Sequence, residues 1–128
     1  MQTAITRGVK VSVETFYQLD YSNPLKDEYM FAYRITIVNQ SEQTLQLLRR
    51  HWHIVDANGI VREVEGEGVV GQQPILRPPE KYQYVSGCNL NTELGKMFGT
   101  YEMINVSNGK KFKVNIPTFQ LVASLKLN

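Results

Sequence analysis

The sequence predicts an all-β chain folded as a two-sheet immunoglobulin or fibronectin type III-like sandwich of about seven or eight strands. Three observations carry that expectation. Apolar and polar residues alternate with period two along several runs. Two Asn-Gly pairs, Asn58-Gly59 and Asn108-Gly109, mark hairpins, because these residues accept positive φ. No stretch holds the 3.6-residue apolar period of a helix. A closed barrel is the next architecture that fits.

The first strand is Val9 to Glu14, where valines alternate with Lys10, Ser12 and Glu14. The pattern decays after Phe16-Tyr17 into Asp20 to Asp27, whose Asn23-Pro24 pair and charges mark a surface connection. Tyr29 to Val38 is the second strand, with Phe31, Tyr33, Ile35 and Ile37 on one face. From Leu45 the apolar positions are odd, then even at Leu48, Trp52 and Ile54, so a bulge is expected near Leu47-Leu48. Asn58-Gly59 closes a type I′ hairpin onto Ile60 to Val64. A proline-rich loop through Pro74, Pro78 and Pro79 precedes the strand Tyr82 to Gly87. Asn89 to Gly95 connects to Met97 to Val106, and Asn108-Gly109 leads to Phe112 to Ile116, where Pro117 ends the pairing. Phe119 and Leu121 then tuck against the core, and the residues up to Asn128 are expected to be loose.

The 128 residues suit one domain, with a core over about residues 9 to 121. Hydrophobic residues at 42% and charged residues at 20% are ordinary for a globular chain, and no apolar run approaches a membrane span. A net charge of +2 without a long basic cluster gives no reason to expect a nucleic-acid partner. The N-terminus resembles neither a signal nor a transit peptide, and Cys88 has no partner for a disulfide, so a cytoplasmic location is expected. Cys88 reads as an inert buried thiol.

Val64 to Pro74 holds Gly66, Gly68 and Gly71 at GxGxxG spacing. A dinucleotide site needs a helix directly after such glycines, but Pro74, Pro78 and Pro79 stand there, and Glu65 and Glu67 would repel a phosphate. The glycines instead suit a loop folded tightly over the sheet with Val69 and Val70 turned inward. A nest of loop amides beside Arg49, Arg50 or Arg77 would be an anion site. His51 and His53 share a strand face with Arg49, opposite Trp52, which is expected to anchor the core. They are the only two histidines, short of the three or four ligands zinc takes, so no metal site is assigned. Glu63, Glu65 and Glu67 read as a solvated edge rather than an acid-base pair or an oxygen-ligand cation site. No catalytic residue and no cofactor are assigned, since no nucleophile-base pair appears at a recognisable spacing. From these features alone the chain is a soluble β domain without a defined activity.

The segments Phe31-Ala32-Tyr33, Leu47-Leu48-Arg49-Arg50-His51-Trp52, Val64 to Pro74, Met97-Phe98-Gly99-Thr100-Tyr101 and Ile116-Pro117-Thr118-Phe119 resemble the ApaG family in order and spacing. The resemblance spans Val9 to Leu121. Pro78-Pro79 departs from the Pro-Gly expected after the loop. The resemblance implies a fibronectin-type sandwich and a bacterial cytosolic protein linked genetically to cobalt resistance and magnesium efflux. Similar domains in eukaryotic F-box proteins and in a polymerase-delta-interacting protein imply a protein-interaction module. Gene neighbourhood with a diadenosine tetraphosphate hydrolase implies nucleotide ligands. The resulting expectation is a non-enzymatic binding domain whose protein partner or ligand meets Arg49, Arg50, His51, His53, Gly66, Gly68 and Gly71. The alternative is a nucleotide or pyrophosphate binder, with weak hydrolysis, at the glycine loop. Pairing of edge strands in a homodimer is compatible with either.

Overall fold

The structure is a computed structural model that describes residues 1–123, so the expected loose tail at residues 124–128 lies outside the described residues. Among the described residues nine strands form: β1 (Gln2–Thr6), β2 (Val9–Tyr17), β3 (Tyr29–Asn39), β4 (Leu45–Asp56), β5 (Val61–Glu67), β6 (Ile75–Leu76), β7 (Lys81–Leu90), β8 (Leu94–Asn105) and β9 (Lys111–Val122). One sheet has the order β1-β2-β3-β7 and the other β5-β4-β8-β9, with β6 also on β4. Every pairing is antiparallel. This is the two-sheet sandwich that the alternating runs predict, and the described residues contain no α-helix.

Alternation builds the core directly. Val9, Val11 and Val13 from β2 and Phe31, Tyr33, Ile35 and Ile37 from β3 are buried, as are Trp52, Ile54, Met97, Met103, Val114 and Leu121 across from them. The sheets are joined through Tyr33, Trp52 and Phe119. Trp52 meets Tyr33 edge-on at 5.5 Å between centroids and Phe119 edge-on at 5.8 Å, the geometry in which aromatic quadrupoles attract. Asn39, fully buried in the β3–β4 turn, donates through Nδ2 to the carbonyls of Gln43 and Leu76 and accepts from the amide and hydroxyl of Ser41. Its side chain therefore carries no desolvation penalty, and it ties the turn to β6.

Several boundaries differ from the sequence reading. β1 was not anticipated. It carries small and polar residues with Ile5 facing outward, and its turn is Arg7-Gly8, both at positive φ, rather than an Asn-Gly pair. The Asn58-Gly59 hairpin is not type I′, because only Gly59 takes positive φ, at 86°, and Gly59 N–H donates to Asp56 O. It is a turn with a glycine bulge instead. β7 and β8 run closer together than expected, leaving a short turn after buried Leu90. Pro117 does not end the pairing: the register slips between Met97 and Gly99 of β8, and pairing resumes with Phe119 of β9 opposite Met97. Proline is tolerated at such a bulge on an edge strand. Pro117 on β9 and Glu63, Glu65 and Glu67 on β5 blunt two sheet edges against pairing with another copy.

Tyr84 and Tyr101 hydrogen-bond to each other inside the sandwich. Burial, the largest cause, pushes both phenols above the ordinary tyrosine range. The folded state thus holds these protons more tightly than the unfolded chain. The stability this provides is fully present below the unfolded tyrosine value of about 10 and is lost as pH rises from there through the raised folded value. Tyr84→Phe should cost about 1–3 kcal/mol by stranding the Tyr101 hydroxyl. The double change to phenylalanine should recover most of that loss and flatten the alkaline decline, both read from urea unfolding midpoints between about pH 9 and 11.

Candidate functional site

The site is organised by β4. Its register against β8 shifts between Leu47 and Arg49, as the parity of the sequence predicts. Before the slip Leu45 and Leu47 point inward, and after it Trp52 and Ile54 do. Arg49, His51 and His53 consequently face outward from the sheet.

A bulge leaves backbone groups outside the regular ladder, and here the glycine segment takes them up. β5 pairs with β4 from Arg49 to Val55, and β6 pairs with Leu45 and Gln46, so the loop between β5 and β6 spans the bulge. Leu47 N–H donates to Pro74 O at 3.0 Å. Leu48 O accepts from Gly68 N–H at 2.8 Å and from Gln73 Nε2 at 2.9 Å. The loop then turns on itself, with Val69 and Gln72 exchanging both backbone bonds around Val70 (φ 47°) and Gly71 (φ 76°). Positive φ at both central positions makes this a type I′ turn. Val69 is buried as expected, whereas Val70 is exposed rather than turned inward.

The predicted site residues therefore separate into two groups. Arg50 lies on the opposite face of β4 from Arg49 and His51. Its Nη1 donates to the carbonyls of Glu67 at 3.0 Å and Gly68 at 3.1 Å, holding the loop from below. Gly66 is paired with Arg50, and a Cβ there would stand 2.8 Å from the guanidinium. At Gly68 a Cβ would lie 2.2 Å from Gln72 O. The amides of Gly68, Val69 and Gln72 already donate within the protein, so they do not converge on an anion.

Arg49, His51 and His53 form the second group, in register with Glu67, Glu65 and Glu63 on β5. β5 runs through Glu67, which puts all three glutamates on the side of the histidines. His51 Nε2 is 2.8 Å from Glu63 Oε1, and His51 Nδ1 is 3.1 Å from Glu65 Oε1. His53 Nε2 is 3.3 Å from the same Glu63 oxygen. The hydrogen bond with His51, followed by the nearby charge of His53, holds the Glu63 carboxyl below its ordinary range. His53 is stacked on Phe98 with ring planes 3° apart, which fixes its orientation. Beside these groups, Arg49, Arg50, His51, Glu65, Thr100, Glu102 and Lys113 border a shallow depression of about 130 Å³. Sequence reasoning identified the histidines and glutamates separately. The antiparallel register that opposes them was the missing link, and the i, i+2 spacing of both sets was its signal.

Residues 19–105 match the sequence profile of the ApaG domain. The chain belongs to the ApaG family. It is 50% identical to protein ApaG of Brucella canis over 94% of its own length and 92% of that protein's, and 52% identical to protein ApaG of Brucella anthropi over the same shares. A Bordetella pertussis crystal structure bearing the ApaA name superposes with a TM-score of 0.88 at 42% identity, covering 92% of this chain and 95% of that one. A second X-ray structure, a structural-genomics target, superposes with a TM-score of 0.87 at 42% identity, covering 98% of this chain and 94% of that one. The sandwich is thus the ApaG architecture.

Two substitutions test whether the loop glycines serve this architecture. Gly68→Ala should cost at least about 2 kcal/mol, because left-handed strain adds to a backbone clash. Val70→Asn should stabilise by about 1 kcal/mol, since it relieves a β-branched residue at positive φ and creates the favoured Asn-Gly turn. Thermal or denaturant unfolding reads both.

Proposed function

We propose that this ApaG domain is a non-enzymatic binding module whose partner meets the outer face of β4, β5 and β8 at Arg49, His51 and His53. The observation carrying this reading is the concentration of opposed charged and imidazole groups on one open sheet face, with Arg49 in register between Glu67 and Glu102. Arg50, Gly66 and Gly68 support that face from beneath, and Gly71 turns the loop at its exposed tip. The adjoining depression, about 130 Å³, takes a partner's side chain or an ion but falls short of the several hundred Å³ typical of small-molecule sites. A protein partner therefore suits it better than a nucleotide.

Nothing in the arrangement resembles a nucleophile with its base. Cys88 is buried, and that burial raises its thiol above the ordinary range despite the opposing Arg62. The described residues contain no helix long and apolar enough to cross a membrane. We place the module in the cytoplasm, where it would act on cobalt resistance and magnesium efflux indirectly, through its partner. Complementation of a deletion strain tests this reading. The Arg49→Ala, Lys113→Ala double variant, with its melting temperature unchanged, should lose most of the cobalt tolerance that the parent gene restores. Full restoration by that variant would remove the basis for assigning the face.

A further inference from the structure

We propose that His51, His53 and Glu63 form a three-ligand site for a divalent transition-metal ion of the zinc or cobalt type. The inference rests on the reading of this face as a binding surface and names a ligand for it. One coordinating atom from each residue lies within 4.8 Å of the other two. The two closest approaches are 2.8 Å for His51 Nε2 to Glu63 Oε1 and 3.3 Å for His53 Nε2 to Glu63 Oε1. Zinc bonds of about 2.0–2.2 Å to nitrogen and oxygen place tetrahedral ligand atoms somewhat more than 3 Å apart. A small outward movement of Glu63, which is 61% exposed, lengthens these two edges, and a turn of the His51 ring toward His53 closes the remaining edge, at most 4.8 Å, to that size. The histidine backbones, and the His53 ring, are held more firmly. They stand two residues apart on the rigid middle of β4, with ring centroids 4.6 Å apart and His53 stacked on Phe98.

Imidazole and carboxylate bind a metal only in their deprotonated forms, so binding should release protons and weaken in acid. Two imidazoles and one carboxylate leave a fourth position for water or for a partner's side chain. Nitrogen donors favour zinc, cobalt, nickel or copper over magnesium, which prefers oxygen and keeps its waters. The second shell is uneven. Glu65 Oε1 sits 3.1 Å from His51 Nδ1, the usual carboxylate support for a ligating histidine. His53 Nδ1 is buried without a partner. Missing outer-shell support costs about 10- to 100-fold in affinity, so micromolar rather than nanomolar binding is expected.

The untagged full chain would be titrated with Zn(II) by calorimetry and with Co(II) by visible absorption, in a non-chelating buffer near neutral pH. The expected result is one ion per chain, cobalt bands of four-coordinate intensity, and no saturable response to millimolar Mg(II). Glu63→Gln keeps a hydrogen-bond acceptor beside His51 but should weaken binding at least about tenfold, and Glu65→Gln about tenfold through the second shell. His53→Phe preserves the stack on Phe98 and should abolish stoichiometric binding, with circular dichroism checking the fold of each variant. No saturable binding by the parent chain would overturn the inference, as would equal affinity in the His53 and Glu63 variants. Metal is read on purified protein and the partner face by complementation through Arg49 and Lys113, so failure of one leaves the other standing.

Discussion

The extra residue in β4 governs the rest of this structure. Without the slip after Leu47, the alternation that buries Leu45 and Leu47 would carry His51 and His53 into the core and push Trp52 into water. With it, Trp52 joins Tyr33 and Phe119 between the sheets, and the histidines gain an exposed face. A bulge carries a cost, because its peptide groups leave the ladder and must find other partners. The glycine segment provides them through Gly68, Gln73 and Pro74. The conspicuous glycine motif is therefore a brace for the bulge, and Arg50 fastens it from the inner side.

That dependence explains why residues adjacent in sequence have different roles. Arg49 and Arg50 are neighbours, but one faces solvent between Glu67 and Glu102 and the other donates to loop carbonyls. Gly66 leaves room for a guanidinium, whereas Gly68 lets two backbones approach. The same register that seats the loop opposes Glu63 and Glu65 to the histidines. Architecture and candidate site are two consequences of one strand pairing.

Much of this was legible in the sequence. Period-two alternation located the long core strands, and the parity change around Leu47-Leu48 located the bulge, because burying one face of a strand leaves a strong residue-level signal. β1 lacked that signal: its Ile5 faces solvent, and its turn is Arg7-Gly8. Continuation of β9 past Pro117 depends on a bulge against β8, a tertiary fact that local propensity does not encode. The face itself was half legible. Residue types showed the histidines and the glutamates, but only the β4–β5 register shows that Glu63 meets both imidazoles.

Native-state hydrogen exchange resolved at individual amides tests the central claim that the glycine loop braces the bulge. Gly68 N–H, bonded to Leu48 O, and Leu47 N–H, bonded to Pro74 O, should be protected together and open in the same cooperative unit as β4. Exchange of the Gly68 amide at the rate of an unstructured chain, while β4 stays protected, would contradict the account and return the loop to the status of an open ligand site.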